Sequence, residues 1–427
     1  MSEPGCSVVI PSYNRRDTLE MVLQGLERQT VPKTAFEVIV VLDGSEDDSA
    51  AMLAEWQSSG RLPHLRWHWQ PNSGQASARN TGVRLAQAPV VVFLDDDVVP
   101  EPELLAVHLG WHEQRGSLAV LGDCLVAREE LSSLCHLGAW AWWEDLFYQR
   151  ALPGRQPTYH DFCTGNVSLR REDFNRVGGF DTDFRGYGRE DYELGYRLLR
   201  AGVRFIIDRS ARAWHHHQAS VAGILRAARQ EAHGDVLMGR KHPELRAGLR
   251  LMEMPAGRYG LLVRLAMQAP AVGDRFMPLV QRMLPIFQRT QMRRRWLLWF
   301  GHLRGYAYWR GVRDVLGSWE ALLAFRAQAA PIRQARLDIR DGLPAELPPL
   351  LIEGPSLLTI TWGEHCLGEL YLPEALQSPP HSLLAERMIK QLWKWLWMPP
   401  SQTADPFAQT GVHGLVAALF AHDGALR

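Results

Sequence analysis

The stretch VVVFLDDD, residues 90–97, places three consecutive aspartates directly after five apolar residues. A short apolar run of this kind is typical of a strand that is buried on both faces. Three adjacent carboxylates repel one another, which is costly unless a cation lies nearby. Mg²⁺ usually binds one or two carboxylates together with the phosphates of a substrate. The stretch therefore predicts a buried strand that ends at a metal site, with a solvated acidic loop as the alternative interpretation.

Strand geometry assigns different directions to the three aspartates. Successive side chains of a strand point to opposite faces, so Asp95 and Asp97 should point one way and Asp96 the other. We therefore expect Asp97 to hold a metal ion and Asp95 to reach a ribose or sugar hydroxyl.

The sequence around this stretch alternates between strand and helix patterns. Apolar and β-branched runs predict strands at 7–10, 36–42, 65–69 and 89–94. Apolar residues at helical spacing predict helices at 17–28 and 75–86 and a helix that begins at 49–56. Apolar strands separated by helices indicate a parallel sheet that is covered on both sides. Ligands of such sheets bind beyond the carboxyl ends of the strands, where the polar clusters 11–14, 43–45 and 95–97 fall.

Length and composition limit the class of protein. A chain of 427 residues suits two or three domains, and we place them at 1–222, 223–343 and 344–427. Hydrophobic residues at 46% and charged residues at 22% are typical of globular proteins. The 47 basic and 47 acidic residues give a formal net charge of zero, which argues against a nucleic-acid partner.

Cysteine usage and hydropathy bear on the compartment. The five cysteines are scattered and form no CxxC pair, which argues against a disulfide scaffold and a structural zinc site. The first residues contain no charged segment followed by an apolar one, as a signal peptide would. No apolar run approaches the roughly 18 residues of a spanning helix. We expect a cytoplasmic protein that is either free or peripheral at the inner face of the membrane.

The charges are unevenly distributed along the chain. Twelve arginines and three acids lie between Arg282 and Arg340, a net charge of +9, whereas nine acids and four bases follow from Asp341 onward, a net charge of −5. Within 292–313, arginines alternate with aromatic residues at helical spacing. A basic helix with an aromatic face suits an anionic membrane surface, so peripheral membrane contact through 292–313 is one interpretation. An internal helix whose arginines pair with the acidic tail is the other.

Two further segments carry no catalytic pattern. Residues 131–148 are rich in tryptophan and favour a buried helix, with a mobile lid or an acceptor platform as the alternative. After a Pro-rich linker at 344–355, residues 357–372 predict a β-hairpin and 382–397 a helix. We interpret this last part as a small accessory module.

Seven ordered motifs accompany the three aspartates. They are VVIPSYNR (8–15), VIVVLDGS (38–45), NSGQASARNTG (72–82), TGN (164–166), GGFD (178–181), GYGREDYELG (186–195) and WHHH (214–217). In this order, over about residues 5–220, the set resembles the family-2 inverting glycosyltransferases of GT-A fold. The resemblance implies an α/β, Rossmann-like domain whose mixed, mainly parallel sheet is flanked by helices. A helical C-terminal region and the small hairpin and helix module would follow it.

The resemblance also implies which residues bind a nucleotide sugar. Residues of the first two motifs would border the nucleobase and ribose, and Asp43 could accept a hydrogen bond from a uracil N3–H. A plain turn at 43–45 is the alternative interpretation. Arg79 would contact the diphosphate or anchor a neighbouring carboxylate. The full nucleotide-sugar set that we expect is Pro11, Tyr13, Asn14, Asp43, Gly44, Arg79, Asp95, Asp96 and Asn166.

The resemblance implies the catalytic groups as well. One carboxylate of the Glu190–Asp191 pair, at a predicted helix N-terminus that favours the anionic form, would be the general base. We expect Asp191 to be that base and Glu190 to orient the acceptor or to replace it. Asp97 and His215 would hold the metal ion, with His217 as the substitute for His215. Such ligands suit Mn²⁺ or Mg²⁺.

These features together predict a metal-dependent inverting glycosyltransferase. It would move a sugar from a nucleoside diphosphate sugar, in the first place a UDP-sugar, to a hydroxyl of a glycan, a lipid-linked precursor or a metabolite. One alternative is a non-catalytic protein that binds nucleotide sugars or glycans on the same fold. Another is a nucleotidyltransferase, which would normally carry a Gly-rich basic loop where Pro11–Asn14 stands.

Overall fold

The computed structural model describes residues 4–114, 116–126, 134–136, 147, 157–216, 220–252, 257–290, 292–329, 333–338, 356–362 and 365–372. Its strands are β1 (Cys6–Ser12), β2 (Phe36–Asp43), β3 (Leu65–Gln70), β4 (Val90–Leu94), β5 (Val98–Pro100), β6 (Leu118–Val126), β7 (Asn166–Arg170), β8 (Arg204–His215), β9 (Arg333–Asp338), β10 (Ser356–Trp362) and β11 (His365–Leu372). Its longer helices are α1 (Arg16–Glu27), α2 (Ser49–Ser59), α3 (Gln75–Leu85), α4 (Leu104–His112), α5 (Arg171–Arg176), α6 (Glu190–Arg200), α7 (Val221–Lys241), α8 (Gly257–Gln268), α9 (Pro270–Arg289), α10 (Arg293–Leu316) and α11 (Trp319–Ala327).

Strands β1 to β8 form one mixed sheet in the order β3-β2-β1-β4-β7-β6-β8-β5. The first four strands run parallel to one another. Strand β7 is antiparallel to both β4 and β6, β8 is parallel to β6, and β5 is antiparallel to β8. The predicted α/β fold with a mixed, mainly parallel sheet is confirmed.

Apolar side chains cover both faces of this sheet. Alternate residues of β1, such as Val8 and Ile10, pack in one core with the apolar sides of α1 and α2. The residue between them, Val9, packs on the opposite face with residues of α3 and α6. Because successive strand residues point to opposite faces, strands that are apolar throughout need helices on both sides.

The parallel arrangement brings the predicted polar clusters together. Strands β1, β2 and β4 run in the same direction, so the turns that follow them lie at one edge of the sheet. Helix α3 packs closely under that edge, since a Cβ at Gly82 would lie 2.3 Å from Cγ1 of Val9. This close approach, which needs glycine, sets the depth at which α3 presents its other residues.

The structure favours the internal-helix interpretation of segment 292–313, with acids of the helical region as arginine partners. Helix α10 contains most of the arginine- and tryptophan-rich segment 292–313, but Trp296, Tyr306 and Trp309 are buried. Arg310 pairs with Asp274 and Asp314, and Arg304 with Glu231. The aromatic face of this helix is therefore part of the protein interior. Among the described helices, none combines the length and apolarity needed to cross a bilayer.

Two compact units are distinguished among the described residues. One contains those within Met1–Ala151, Pro157–Leu237 and Met254–Ala321, and the other those within Leu152–Gln156, Met238–Glu253 and Leu322–Arg427. The second unit contains a sheet in which β10 and β11 form the predicted antiparallel hairpin, and β9 adds a parallel strand. The predicted linker at 344–355, the helix at 382–397 and most of 131–148 lie outside the described residues. The domain boundaries at 222 and 343 remain a prediction.

Candidate active site

The three aspartates after β4 lie in a turn rather than on the strand. Strand β4 ends at Leu94, and the backbone N–H of Val98 donates to the carbonyl of Asp95 at 3.1 Å. The expected alternation of side-chain directions is therefore wrong, because it holds only while the strand continues. Asp96 and Asp97 instead both face one guanidinium. Nη1 of Arg15 donates to Oδ2 of Asp97 and lies 3.6 Å from Oδ1 of Asp96.

Asp97 also faces the end of β8. Its Oδ1 lies 3.3 Å from Nε2 of His215, and both residues are buried. Burial alone would raise the pKa of Asp97, but the charges of His215 and Arg15 hold it well below its usual range. Burial, with the charge of Asp97, raises the pKa of Asp96 to about 7. Asp97 is thus the carboxylate of this pair that stays ionised.

The carboxylate and the imidazole suit a divalent metal ion. Two neighbouring ligands of an octahedral Mg²⁺, each about 2.1 Å from the ion, lie about 3 Å apart, close to the observed 3.3 Å between Asp97 and His215. No group of three or more His, Cys, Asp or Glu side chains gathers around a common point in the described part of the chain. The remaining ligands would therefore be water and substrate phosphates. His217 lies outside the described residues.

Arg79 joins the turn after β4 to the start of helix α6. Its side chain is buried, Nη2 donates to Oδ1 of Asp95 at 2.8 Å, and Nη1 donates to Oε1 of Glu190 at 3.0 Å. Of the two roles expected for Arg79, the geometry shows the contact with neighbouring carboxylates. This single side chain brings together two acidic motifs that are 95 residues apart in sequence.

Replacement of Arg79 by methionine should strongly destabilise the protein. The substitution keeps apolar volume but leaves the buried Glu190 and the partly buried Asp95 without their counter-ion, and loss of one partner of such a network costs about 3–5 kcal/mol. The measurement is the free energy of unfolding in urea. As a control, Arg16→Met removes a surface arginine that pairs with Asp17 and Glu20, and it should stay close to wild type. Equal effects of the two substitutions would contradict a structural role for Arg79.

Glu190 and Asp191 open helix α6. Glu190 is buried and Asp191 half-buried, and no described group donates a hydrogen bond to Oε2 of Glu190. Burial and the negative charge of Glu190 raise the pKa of Asp191 to about 7, although Arg79 and Arg189 oppose the rise. A carboxyl group with this pKa can both accept and release a proton near neutral pH, as a general base must.

A second network, which sequence reasoning missed, holds the start of α6. Arg189 has a left-handed backbone with φ 86°, which is costly for a residue with a Cβ. Its Nε donates to Asp235 of α7, and the hydroxyl of Tyr308 donates to the other oxygen of Asp235 at 2.6 Å. Helices α7 and α10 therefore fix the first turn of α6. Asp235 lies in a helix without any motif, so no sequence signal could have identified it.

The turns after β1 and β2 are hydrogen-bonded to each other. Asn14 has a φ of 50°, and its Oδ1 accepts from the backbone N–H of Glu46 at 2.8 Å. Gly44 has a φ of 80°, and a Cβ there would lie 2.8 Å from Cβ of Asn72, so glycine is required. Pro11 is buried at the end of β1, and Tyr13 is 51% exposed at the rim.

Asp43 closes the loop that follows β3. Its Oδ1 accepts from Nε2 of Gln70 at 2.8 Å and from the N–H of Ser73 at 2.9 Å, and its Oδ2 accepts from the N–H of Gly74 at 2.8 Å. A carboxylate offers about four lone-pair positions, so one on Oδ2 remains for a ligand. The turn and the ligand-binding interpretations of Asp43 are therefore compatible.

Asn166, expected at the nucleotide-sugar site, lies in the interior instead. Its amide nitrogen donates to the carbonyls of Asp123 at 3.1 Å and Ala211 at 2.8 Å, and its Oδ1 lies 2.8 Å from Nε2 of His108. The side chain is buried and its donors are used within the protein. Asn166 begins β7 and its amide joins this strand to β6 and β8, so packing accounts for its place in the TGN motif.

Two family models and several curated proteins match parts of this chain. Residues 7–178 match the family model described as glycosyl transferase family 2, and residues 146–217 match the one described as N-terminal domain of galactosyltransferase. Over 258 residues the chain is 36% identical to a validoxylamine A glucosyltransferase of Streptomyces hygroscopicus subsp. jinggangensis, covering 52% of this chain and 59% of that protein. It is 28% identical over 243 residues to a chondroitin synthase of Escherichia coli, covering 49% of this chain and 34% of that protein.

The chain is also similar to a solved structure. It is a mannosyltransferase from Pyrobaculum calidifontis in complex with GDP-Man and Mn²⁺, with a TM-score of 0.49 at 21% identity, covering 75% of this chain and 88% of that chain. This chain spans less than two thirds of the length of both curated relatives named above.

Proposed function

We propose, from the premise that residues 7–178 are a family-2 glycosyltransferase domain, that this chain transfers a sugar from a nucleoside diphosphate sugar to an acceptor hydroxyl. The family is the one that the ordered motifs predict. The observation that carries the proposal is the pair of contacts that Arg79 makes with Asp95 and Glu190. The first of these carboxylates lies in the same turn as the proposed metal ligand Asp97, and the second is next to Asp191. The residues proposed to bind the sugar donor and the residue proposed to activate the acceptor therefore lie in one site.

The donor would lie across the turns after β1, β2 and β4. The nucleobase would rest near Tyr13 and Asp43, whose free lone pair suits the N3–H of uracil. The diphosphate would lie next to Asp97 and His215. These two residues would hold Mn²⁺ or Mg²⁺, and the bound ion would neutralise charge on the departing diphosphate.

The acceptor would bind on the side of Asp191. As the acceptor oxygen forms its bond to C1 of the sugar, the bond from C1 to the diphosphate oxygen breaks, and the acceptor proton passes to Asp191. Glu190, held by Arg79, orients the acceptor through its second oxygen. Attack from the face opposite the leaving group inverts the configuration at C1, and the enzyme forms no covalent intermediate.

One relative indicates which donor to examine first. The relative at 36% identity is a glucosyltransferase, so UDP-glucose is the first donor to examine. The acceptor would be a hydroxyl of a glycan, a lipid-linked precursor or a metabolite.

Release of nucleoside diphosphate tests this proposal. The purified chain is incubated with a panel of UDP- and GDP-sugars in the presence of Mn²⁺, Mg²⁺ or EDTA, because slow hydrolysis of the donor needs no known acceptor. Metal-dependent release from one donor is the expected result. Absence of release from every donor, with a thermal shift on adding nucleotide and metal, would favour the alternative of a non-catalytic binding protein. Absence of both release and thermal shift would contradict the donor site itself.

Replacement of Arg15 by alanine should strengthen the binding of Mn²⁺ alone. Arg15 contacts the carboxylate proposed to bind the metal, so the ion must displace its guanidinium. Because the Arg15 side chain is half-exposed, the gain should be modest, about fivefold in Kd or about 1 kcal/mol. Titration of Mn²⁺ followed by electron paramagnetic resonance measures it. The neighbouring Arg16→Ala should not change Kd, and weaker binding in Arg15→Ala would refute the competition.

A further inference from the structure

Helix α9 has two apolar faces, and only one of them is covered in the described part of the chain. Its inward face packs within the protein through the buried residues Met277, Val280, Leu284 and Phe287. A second row at heptad spacing points to solvent, and its side chains are 46–61% exposed: Val272, Phe276, Leu279, Met283 and Ile286. We call this second row the exposed stripe. Five large apolar side chains on one helix face are unusual on a protein surface without a partner.

Positive charge borders the exposed stripe. Arg275, Arg282 and Arg289 recur every seven residues, so all three lie along one flank of the stripe, at about 100° per residue. All three are exposed, and no acid of the described residues forms an ion pair with them. The aspartate of the helix, Asp274, pairs with Arg310 of α10.

The neighbouring helices carry the same combination. Helices α8 to α10, residues 257–316, contain eleven arginines, no lysine and two aspartates. Leu261 of α8 and Leu297 of α10 are 66% and 56% exposed. Between α8 and α10 lies an apolar groove lined by Leu262, Leu265 and Trp299 among others. A surface that is both apolar and cationic matches the interface of a bilayer that contains anionic lipids.

We propose that the exposed stripe of α9 docks this protein on an anionic membrane surface, with the stripe among the acyl chains and its arginine flank against the headgroups. This moves the membrane contact predicted for 292–313 to the preceding helix, because the aromatic face of α10 is buried. A second copy of the chain fits less well. The charged residues along that flank are all arginines, so a pair of such stripes would bring like charges together.

Flotation of the full-length chain with lipid vesicles tests the proposal. The protein should bind vesicles of phosphatidylcholine mixed with phosphatidylglycerol and not vesicles of phosphatidylcholine alone. Phe276→Ser with Leu279→Ser, and separately Arg282→Glu with Arg289→Glu, should each lower the partition coefficient at least tenfold. As a charge-matched control, Arg28→Glu with Arg226→Glu alters two exposed arginines elsewhere and should bind like wild type.

Two readouts separate this proposal from others. Nucleoside diphosphate release in solution should be the same in all these variants, so a failed membrane proposal leaves the proposed function intact. Light scattering after size exclusion reports self-association. A wild-type chain that binds no vesicles overturns the proposal, and so does a dimer that the serine variant dissociates while vesicle binding is unchanged.

Discussion

Asp191→Asn should lower sugar transfer by about a thousandfold while donor affinity stays near the wild-type value, because a missing general base costs about 10²–10⁴ in rate. The amide keeps the size of the side chain but cannot take the acceptor proton. The measurements are donor turnover and the Kd of the nucleoside diphosphate in the presence of Mn²⁺. Asp17→Asn, on the exposed side of α1, is the matched control. An Asn variant that retains full turnover would exclude Asp191 as the base.

The same residue should set the pH dependence of transfer. Asp191 is surrounded by the negative charge of Glu190 and the positive charges of Arg79 and Arg189, and burial together with Glu190 raises its pKa to about 7. Since the base works only when it is deprotonated, the rate should rise with pH through about 7 and then level off. A rate that is the same well below and well above this pH would contradict the assignment.

Asp97→Ala should abolish metal-dependent turnover of the donor, with a loss of at least about a thousandfold, comparable to the loss of any essential charge-stabilising group. The carboxylate is the ionised member of its pair and lies 3.3 Å from His215, so its removal takes away one of the two proposed protein ligands. The measurement is nucleoside diphosphate release with and without EDTA, together with the Kd of Mn²⁺.

Asp96→Asn supplies the matched comparison for Asp97. Burial and the charge of Asp97 raise the pKa of Asp96 to about 7, so this carboxyl is already partly neutral in the wild type. An amide imitates the neutral form, and the loss of turnover should be much smaller than for Asp97→Ala. Equal losses of activity in the two variants would contradict a metal site in which Asp97 is the only ligand among the three aspartates.

The sequence identified the sheet because periodicity and strand direction are local properties. Runs such as 36–42 and 89–94 match β2 and β4 within two residues, and their parallel arrangement predicts that the acidic turns meet. The expected directions of Asp95 to Asp97 are wrong for a local reason too, since β4 ends at Leu94, as predicted, and the three aspartates follow it. In a turn, successive side chains no longer point alternately to opposite faces, as they do in a strand.

Contacts between distant segments were the part that the sequence could not supply. The pairing of Arg15 with Asp97, and of Arg189 with Asp235 and Tyr308, depends on how helices pack against the sheet. The inward orientation of Asn166 likewise depends on β6 and β8. In the helical region, aromatic residues marked the buried helix α10, while the exposed apolar row lies on α9. Composition alone does not tell a core face from a docking face.

A crystal structure with Mn²⁺ and UDP would show whether Asp97 and His215 hold the metal ion beside the nucleotide. We expect an anomalous peak for manganese between Asp97 and Nε2 of His215, next to the diphosphate, with the guanidinium of Arg15 displaced from Asp97. We also expect an open space between the sugar position and Asp191. A manganese peak elsewhere, or a nucleotide bound away from the turns after β1, β2 and β4, would contradict it.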